Sequence, residues 1–197
     1  MLKACWDCIA GYDLFRDRTH SESPYGTQLT GDIHRAPPWP RPRNEKETML
    51  LLPKSLDSED EVVVTGNLEG DARTLTIGLV TGMSEPDYQN VACQLDVNFP
   101  SNGANNIAIK VIQNGNHELV NDGKPATDYF IEGEEFIIRF RVRNENYISI
   151  YVGPSFLEQV ELKHNVNDIR FLAVNGDVKI KSLNMNLHKM VFSSFHL

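Results

Sequence analysis

Short stretches of β-forming residues cover most of the chain beyond Met49, and turn residues separate them. Apolar positions in these stretches alternate with polar ones or form brief continuous runs, and no window keeps the 3.6-residue period of an amphipathic helix. The stretches are residues 61–64, 74–80, 91–99, 106–113, 126–131, 135–142, 147–152, 159–162, 168–174 and 178–187. This pattern predicts an all-β protein, built as an antiparallel sandwich or barrel.

The alternation is strictest between residues 135 and 152. The first strand there turns Phe136, Ile138, Phe140 and Val142 to one side and Ile137, Arg139, Arg141 and Arg143 to the other. The second turns Ile148, Ile150 and Val152 one way and Tyr147, Ser149 and Tyr151 the other. The polar residues 144–146 between them predict a hairpin turn. We therefore expect two neighbouring strands with one face in the core and the other in water.

Four short motifs follow one another along residues 49–187. They are Leu52-Pro53, Val62-Val63-Val64-Thr65-Gly66-Asn67, Gly70-Asp71-Ala72-Arg73, and the closing Ile169-Arg170-Phe171-Leu172-Ala173-Val174-Asn175-Gly176-Asp177-Val178. In this order they resemble the framework of a galectin carbohydrate-recognition domain. The resemblance implies an antiparallel β-sandwich of the galectin-like jelly-roll type and a lectin rather than an enzyme.

The resemblance also implies where a sugar would bind. Galectins hold a β-galactoside with a His-x-Asn-Pro-Arg motif on one strand, an Asn on the next strand, and then a Trp and a Glu. The positions that match the motif here are Gln94 for the His, Asp96 for the first Asn and Asn98 for the Arg. Asn114 is the nearest match to the second Asn, and Glu118 is the carboxylate nearest the Trp position.

The tryptophan of that set has no counterpart. Residues 116–124 contain no Trp, and both tryptophans, Trp6 and Trp39, precede the β-rich region. The apolar face of galactose then lacks its aromatic partner unless His117 or Tyr129 takes that place. Each buried polar group left unpaired costs about 1–3 kcal/mol. We therefore expect binding of simple lactose to be weak or absent and any glycan ligand to be a different one.

Charge and composition divide the chain in two. Residues 1–48 contain seven Lys/Arg and seven Asp/Glu, so the formal net charge of -8 belongs to the remainder. Five of the ten prolines also fall in residues 1–48, which show no sustained period, so we predict an irregular extension there and a domain over 49–197. The net negative charge disfavours nucleic acid as a partner.

Nothing in the sequence predicts a membrane span or a signal peptide. No stretch of 18 apolar residues exists, and Asp7 interrupts the apolar run at the N-terminus. We therefore expect a cytoplasmic protein, or one exported without a signal peptide.

No catalytic or metal-binding motif is evident. The chain has no Gly-x-Ser-x-Gly, no phosphate-binding Gly loop and no His-Glu-x-x-His. Cys5 and Cys8 form a Cys-x-x-Cys without a second ligand pair, so with Cys93 they are interpreted as free thiols. We predict no enzyme, no cofactor and no metal site.

Two features favour a protein partner. They support the alternative that the protein is a structural or adaptor module, in which Gln94, Asp96 and Asn98 form a plain solvated face of the sheet. One is the Pro-rich segment 36–43 around Trp39, which is either a docking segment or a plain linker. The other is the outward stripe of Arg139, Arg141 and Arg143. That stripe is either a docking surface or is neutralised by Glu132, Glu134, Glu135 or acids of a neighbouring strand.

Overall fold

The computed structural model describes residues 47–188. Trp39, Cys5, Cys8 and the Pro-rich segment lie outside the described residues. Among the described residues, the first strand begins at Thr48. Within residues 47–188, the structure has no helix with the length and hydropathy of a membrane span.

Eleven antiparallel strands form two sheets over the described residues. The strands are β1 (Thr48–Leu51), β2 (Glu61–Leu68), β3 (Thr74–Thr81), β4 (Asp87–Asn98), β5 (Asn106–Gln113), β6 (Asn116–Lys124), β7 (Glu135–Asn144), β8 (Tyr147–Val152), β9 (Ser155–Glu161), β10 (Ile169–Gly176) and β11 (Val178–Asn186). One sheet has the order β1-β10-β3-β4-β5-β6, and the other has the order β11-β2-β7-β8-β9. The fold is therefore the predicted antiparallel β-sandwich.

The core lies between the two sheets, where the apolar positions of their strands meet. Strand β7 buries every second residue, and β8 pairs with it through a short hairpin in which Asn144 faces Tyr147. The predicted alternation of both strands is confirmed, with one exception. Ser149 faces outward but is only 1% exposed, because the Arg143 side chain lies over it and donates a hydrogen bond to its Oγ at 3.1 Å.

Three predictions about strands fail. Strands β1 and β6 were not predicted from the sequence, and residues 126–131 do not form a strand. Instead, a 3-10 helix spans Ala126–Asp128, and it buries Ala126 while Phe130 packs edge-on against Phe99. Ala126 and Phe130 are apolar because they anchor this helix and the loop after it on the core. Their apolar character made the segment resemble a short strand.

A tight turn joins β10 to β11 and connects to the start of β3. Gly176 has φ +125°, and a Cβ added there would lie 2.2 Å from the carbonyl oxygen of Thr74. The Asp177 carboxylate accepts hydrogen bonds from the backbone N–H groups of Arg73 and Thr74, at 2.9 and 3.3 Å. The Gly-Asp pair of the closing motif thus holds the two sheets together at one end of the sandwich.

Candidate functional site

The outer face of the six-stranded sheet carries a groove of about 430 Å³, named here the polar groove. It crosses β3, β4, β5 and β6, and its lining consists of Thr74, Thr76, Asp96, Val97, Asn98, Asn106, Ala108, Lys110, His117, Leu119 and Asp122. Residues at alternate positions of a strand share one face, so the polar side chains point out while their neighbours fill the core.

Strand β4 supplies the central row of the polar groove. Gln94, Asp96 and Asn98 are half-buried on its outer face, and they stand opposite Lys110, Ala108 and Asn106 of β5. Two of the three predicted residues, Asp96 and Asn98, line the groove directly. Gln94 adjoins it, because its Nε2 donates to the Asp96 carboxylate at 2.9 Å.

The Asp96 carboxylate is fully engaged inside the protein. Oδ1 accepts hydrogen bonds from Thr76 Oγ1 and Gln94 Nε2, both at 2.9 Å. Oδ2 accepts from Lys110 Nζ at 2.8 Å, and this ion pair is about one-fifth to one-third exposed. A carboxylate with this many donors has little capacity left for a ligand. Asp96 therefore positions Thr76, Gln94 and Lys110 rather than offering itself to a bound molecule.

A second chain of hydrogen bonds covers the other end of the polar groove. Asn98 Nδ2 donates to Asn106 Oδ1 at 3.1 Å, and Asn106 Nδ2 donates to Asp122 Oδ1 at 2.7 Å. Amide side chains that bond one another in series are held in one orientation. This end of the groove is therefore a pre-arranged polar surface.

Lys110 and His117 are among the side chains of the polar groove that keep hydrogen-bonding capacity for a ligand. Lys110 has three N–H donors, and one of them is used by Asp96. His117 lies on β6, and within residues 47–188 its imidazole makes no hydrogen bond. Leu119, the β6 residue opposite Lys110, is 54% exposed and adds an apolar edge.

Asn114 and Glu118, which the sequence nominated, lie outside the polar groove. Asn114 is in the turn between β5 and β6 with φ +52°, and its backbone N–H donates to Asn90 Oδ1 at 3.0 Å. Glu118 is exposed on β6, between the groove residues His117 and Leu119. The β5 position that faces the central row belongs to Lys110 instead.

A local signal could have identified Lys110. The apolar residues Ile107, Ile109 and Val111 alternate with Asn106, Ala108 and Lys110, which places this second set on the outer face. His117 was named only as a substitute for the missing tryptophan, and the structure places it in the groove. Tyr129, the other substitute, packs against the core instead.

The arginine stripe lies on the five-stranded sheet, away from the polar groove. Arg141 forms an ion pair with Glu59 at 2.7 Å, and this hydrogen bond lowers the pKa of the Glu59 carboxyl. The alternative to docking was that Glu132, Glu134, Glu135 or acids of a neighbouring strand neutralise the stripe, and within residues 47–188 none of the three named acids pairs with it. Glu135 pairs with Lys181 at 2.6 Å, whereas Glu132 accepts a hydrogen bond from Ser101.

The other two arginines surround Tyr151 on β8. Arg139 donates to the carbonyl oxygen of Gly153 at 2.7 Å and lies 5.1 Å from the centre of the Tyr151 ring. Arg143 donates to the Tyr151 hydroxyl at 2.5 Å. Phe156 meets the same ring edge-on and is 51% exposed. Within the described residues, neither Arg139 nor Arg143 has a carboxylate partner.

Within residues 47–188, the thiol and the potential metal ligands show no reactive arrangement. Cys93 is buried, and burial raises the pKa of its thiol to about 12, so the thiol stays protonated. The same part of the chain contains no group of three His, Cys, Asp or Glu side chains placed to hold a metal ion.

Two packed antiparallel sheets and an open polar groove define a β-sandwich binding domain. A family model described as galactoside-binding lectin matches residues 47–185. The chain belongs to this family of galectins, as its framework motifs implied.

Solved galectins have the same fold at low sequence identity. Sheep galectin-11, solved in complex with glycerol, is 18% identical with a TM-score of 0.58, and the match covers 72% of this chain and 98% of that one. A toad ovary galectin in complex with thio-digalactose is 14% identical with a TM-score of 0.60, over 73% and 100% of the two chains. A homodimeric agglutinin from chicken liver is 17% identical with a TM-score of 0.55, over 71% and 99%. No curated protein matches the sequence.

Proposed function

We propose that this protein is a lectin whose polar groove binds a glycan other than simple lactose. The observation that carries the proposal is the ion pair of Asp96 and Lys110 at the centre of the groove. Asp96 stands at the position of the first Asn of the family motif, where galectins have a neutral side chain. The groove keeps the polar character of a sugar site while its donors and acceptors are arranged differently.

The chemistry of the polar groove supports a sugar ligand. Lys110 and His117 offer hydrogen bonds at positions where sugar hydroxyls could replace water, and Leu119 offers an apolar edge beside them. Binding of lactose is disfavoured because β6 has no tryptophan for the apolar face of galactose. The toad ovary protein was solved with thio-digalactose, and that ligand tests whether any galactoside is accepted.

The test combines a glycan array with thermal shifts of the full chain. A ligand at 100 times its dissociation constant adds about 2.7 kcal/mol of stability, which raises the melting temperature measurably. We expect no shift with millimolar lactose or thio-digalactose and a shift with a glycan selected on the array. Lys110→Ala should abolish the second shift, while Lys181→Ala on the other sheet should preserve it. A clear shift with lactose that sucrose does not produce would overturn the proposed specificity.

A second candidate function is docking of a protein through the opposite sheet. The observation that favours it is the Tyr151 patch, which consists of Ile137, Arg139, Arg143, Tyr151 and Phe156. In the described residues, the guanidinium groups of Arg139 and Arg143 have no carboxylate partner, and exposed aromatic and aliphatic side chains lie next to them. This combination suits a protein partner with an acidic segment that contains an apolar residue.

This candidate is tested by NMR titration with a short acidic peptide that carries a central Leu-Phe pair. If the peptide docks on the Tyr151 patch, residues of β7, β8 and β9 should show chemical-shift changes. These changes should be lost in the Arg139→Glu variant. Lys181→Glu, a charge reversal elsewhere on the same sheet, serves as the control. Shift changes that persist in Arg139→Glu would count against the patch.

A further inference from the structure

A second cavity of about 180 Å³ adjoins the polar groove and is named here the side cavity. It lies over β10, β3 and residues 88–94 of β4. Its lining consists of Glu47, Thr76, Gly78, Val80, Tyr88, Val91, Gln94, Ala173 and Asn175. Of the candidate sugar-binding residues nominated from the sequence, Gln94 lines this cavity.

The side cavity and the polar groove are neighbours on the same face of the sheet. Thr76 lines both of them, and its hydroxyl donates to the Asp96 carboxylate that also holds Gln94. The central row of β4 therefore lies between the two, with β6 on one side and β10 on the other. A ligand with more than one ring could contact both at once.

The polar groove and the side cavity differ in their chemistry. The lining of the polar groove includes no Phe, Tyr or Trp side chain, whereas the side cavity is lined by Tyr88. The apolar surface of Val80, Val91 and Ala173 lies beside Tyr88, and the amides of Gln94 and Asn175 are at the same cavity. A sugar ring has an apolar C–H face and a rim of hydroxyls, and it needs this combination of partners.

Tyr88 is held in place before any ligand binds. Its hydroxyl donates to the Glu47 carboxylate at 2.7 Å, and the side chain is half-buried. A ring fixed at its hydroxyl loses little further conformational freedom when a ligand packs on it. Pre-organisation therefore favours Tyr88 as a stacking partner.

We infer that Tyr88 is the aromatic contact for the bound glycan, so that one neutral sugar ring occupies the side cavity. The aromatic partner has thus moved across the central row, from β6 in the family motif to the first half of β4 here. Gln94 and Asn175 bind hydroxyls of this ring, and Lys110 binds the neighbouring ring in the polar groove. This inference rests on the proposed lectin function.

The experiment uses the full chain and a panel of neutral tetrasaccharides, namely lacto-N-neotetraose, chitotetraose and maltotetraose. Affinities are measured by calorimetry for wild type, Tyr88→Ala and Tyr88→Phe. We expect Tyr88→Ala to weaken binding of the best tetrasaccharide at least tenfold and Tyr88→Phe to change it less than about threefold, since the ring is retained. Tyr147→Ala, which removes a half-buried tyrosine from the other sheet, should leave affinity unchanged.

A second measurement avoids substitution altogether. In the wild-type complex, nuclear Overhauser effects should connect Tyr88 ring protons to sugar C–H protons. If wild type binds a tetrasaccharide and Tyr88→Ala binds it equally well, or if those Overhauser effects are absent, the inference fails and the lectin function stands. If wild type binds no member of the panel but binds another glycan on the array, the inference of a neutral ring at Tyr88 fails and the lectin function stands. If it binds no glycan on the array either, both fail.

Discussion

At the scale of single residues, the polar groove is organised by Asp96. The sequence alignment with the galectin motif placed Asp96 among the sugar contacts, yet its carboxylate is occupied by Thr76, Gln94 and Lys110. Its chemical role is to hold the three donors that surround it. The side chains that can reach a ligand are its neighbours rather than Asp96 itself.

Replacement of Asp96 by alanine should therefore affect stability as well as binding. It removes the partner of Lys110 and the acceptor of two further donors, and hydrogen bonds to charged groups contribute about 1.5–3 kcal/mol each. Because the groove is open to solvent and water can replace part of these hydrogen bonds, we expect the free energy of unfolding to fall by about 1–3 kcal/mol in total in urea denaturation. Asp122→Ala, at the exposed rim of the same groove, should cost less than about 1 kcal/mol. Equal losses for the two variants would show that Asp96 has no organising role.

Cys93 gives a second prediction at the residue scale. Burial raises the pKa of its thiol to about 12, so the thiolate is essentially absent at pH 8. We expect iodoacetamide to leave Cys93 unmodified in the folded protein at pH 8 and to alkylate it in urea. Peptide mapping by mass spectrometry distinguishes Cys93 from Cys5 and Cys8. Rapid alkylation of Cys93 in the folded protein would contradict its burial.

At the scale of elements, the sequence predicted those strands in which one face packs in the core and the other faces solvent. Strand β7 alternates between core and solvent, and its pattern was readable from the sequence. Strand β6 is almost entirely exposed and lies at the edge of its sheet, so its residues carry no core-facing period. Its existence depends on hydrogen bonds to β5, which no local pattern specifies.

The turn between β10 and β11 allows a test at this scale. Gly176→Ala places a Cβ 2.2 Å from the Thr74 carbonyl oxygen at φ +125°, so the turn and the start of β3 must move apart. We expect a loss of stability on the order of 2–4 kcal/mol in urea denaturation. Gly103→Ala is the matched control, because its φ is also positive, +78°, but no atom lies within 4 Å. Gly103→Ala should lower the free energy of unfolding by about 1–2 kcal/mol. A larger loss for Gly103→Ala than for Gly176→Ala would contradict the steric crowding at Gly176.

At the scale of the whole molecule, the described residues form one sandwich with a continuous core. The buried cluster draws on both sheets, from Leu50 in β1 to Met185 in β11. The family match over residues 47–185 covers the same span. Within residues 47–188, the two sheets therefore share one core.

A protein that begins at Glu47 should accordingly fold on its own. We expect it to show the circular dichroism of an all-β protein and a single cooperative melting transition within a few degrees of the full chain. The full chain measured under identical conditions is the control. A soluble truncated protein without a cooperative transition would mean that the N-terminal segment belongs to the core.

The sequence alone determined which residues face the core and which face water in most strands, because a period of two is a local property of the chain. It also determined the family, since the framework motifs follow the chain in order. The partners of Asp96 were decided only by the tertiary structure, because Thr76 and Lys110 are 20 and 14 residues away in the sequence. The side cavity arises in the same way, where Tyr88 of β4 meets Ala173 of β10 across β3. Contacts between strands depend on sheet order and register, and these are set by how the whole core packs.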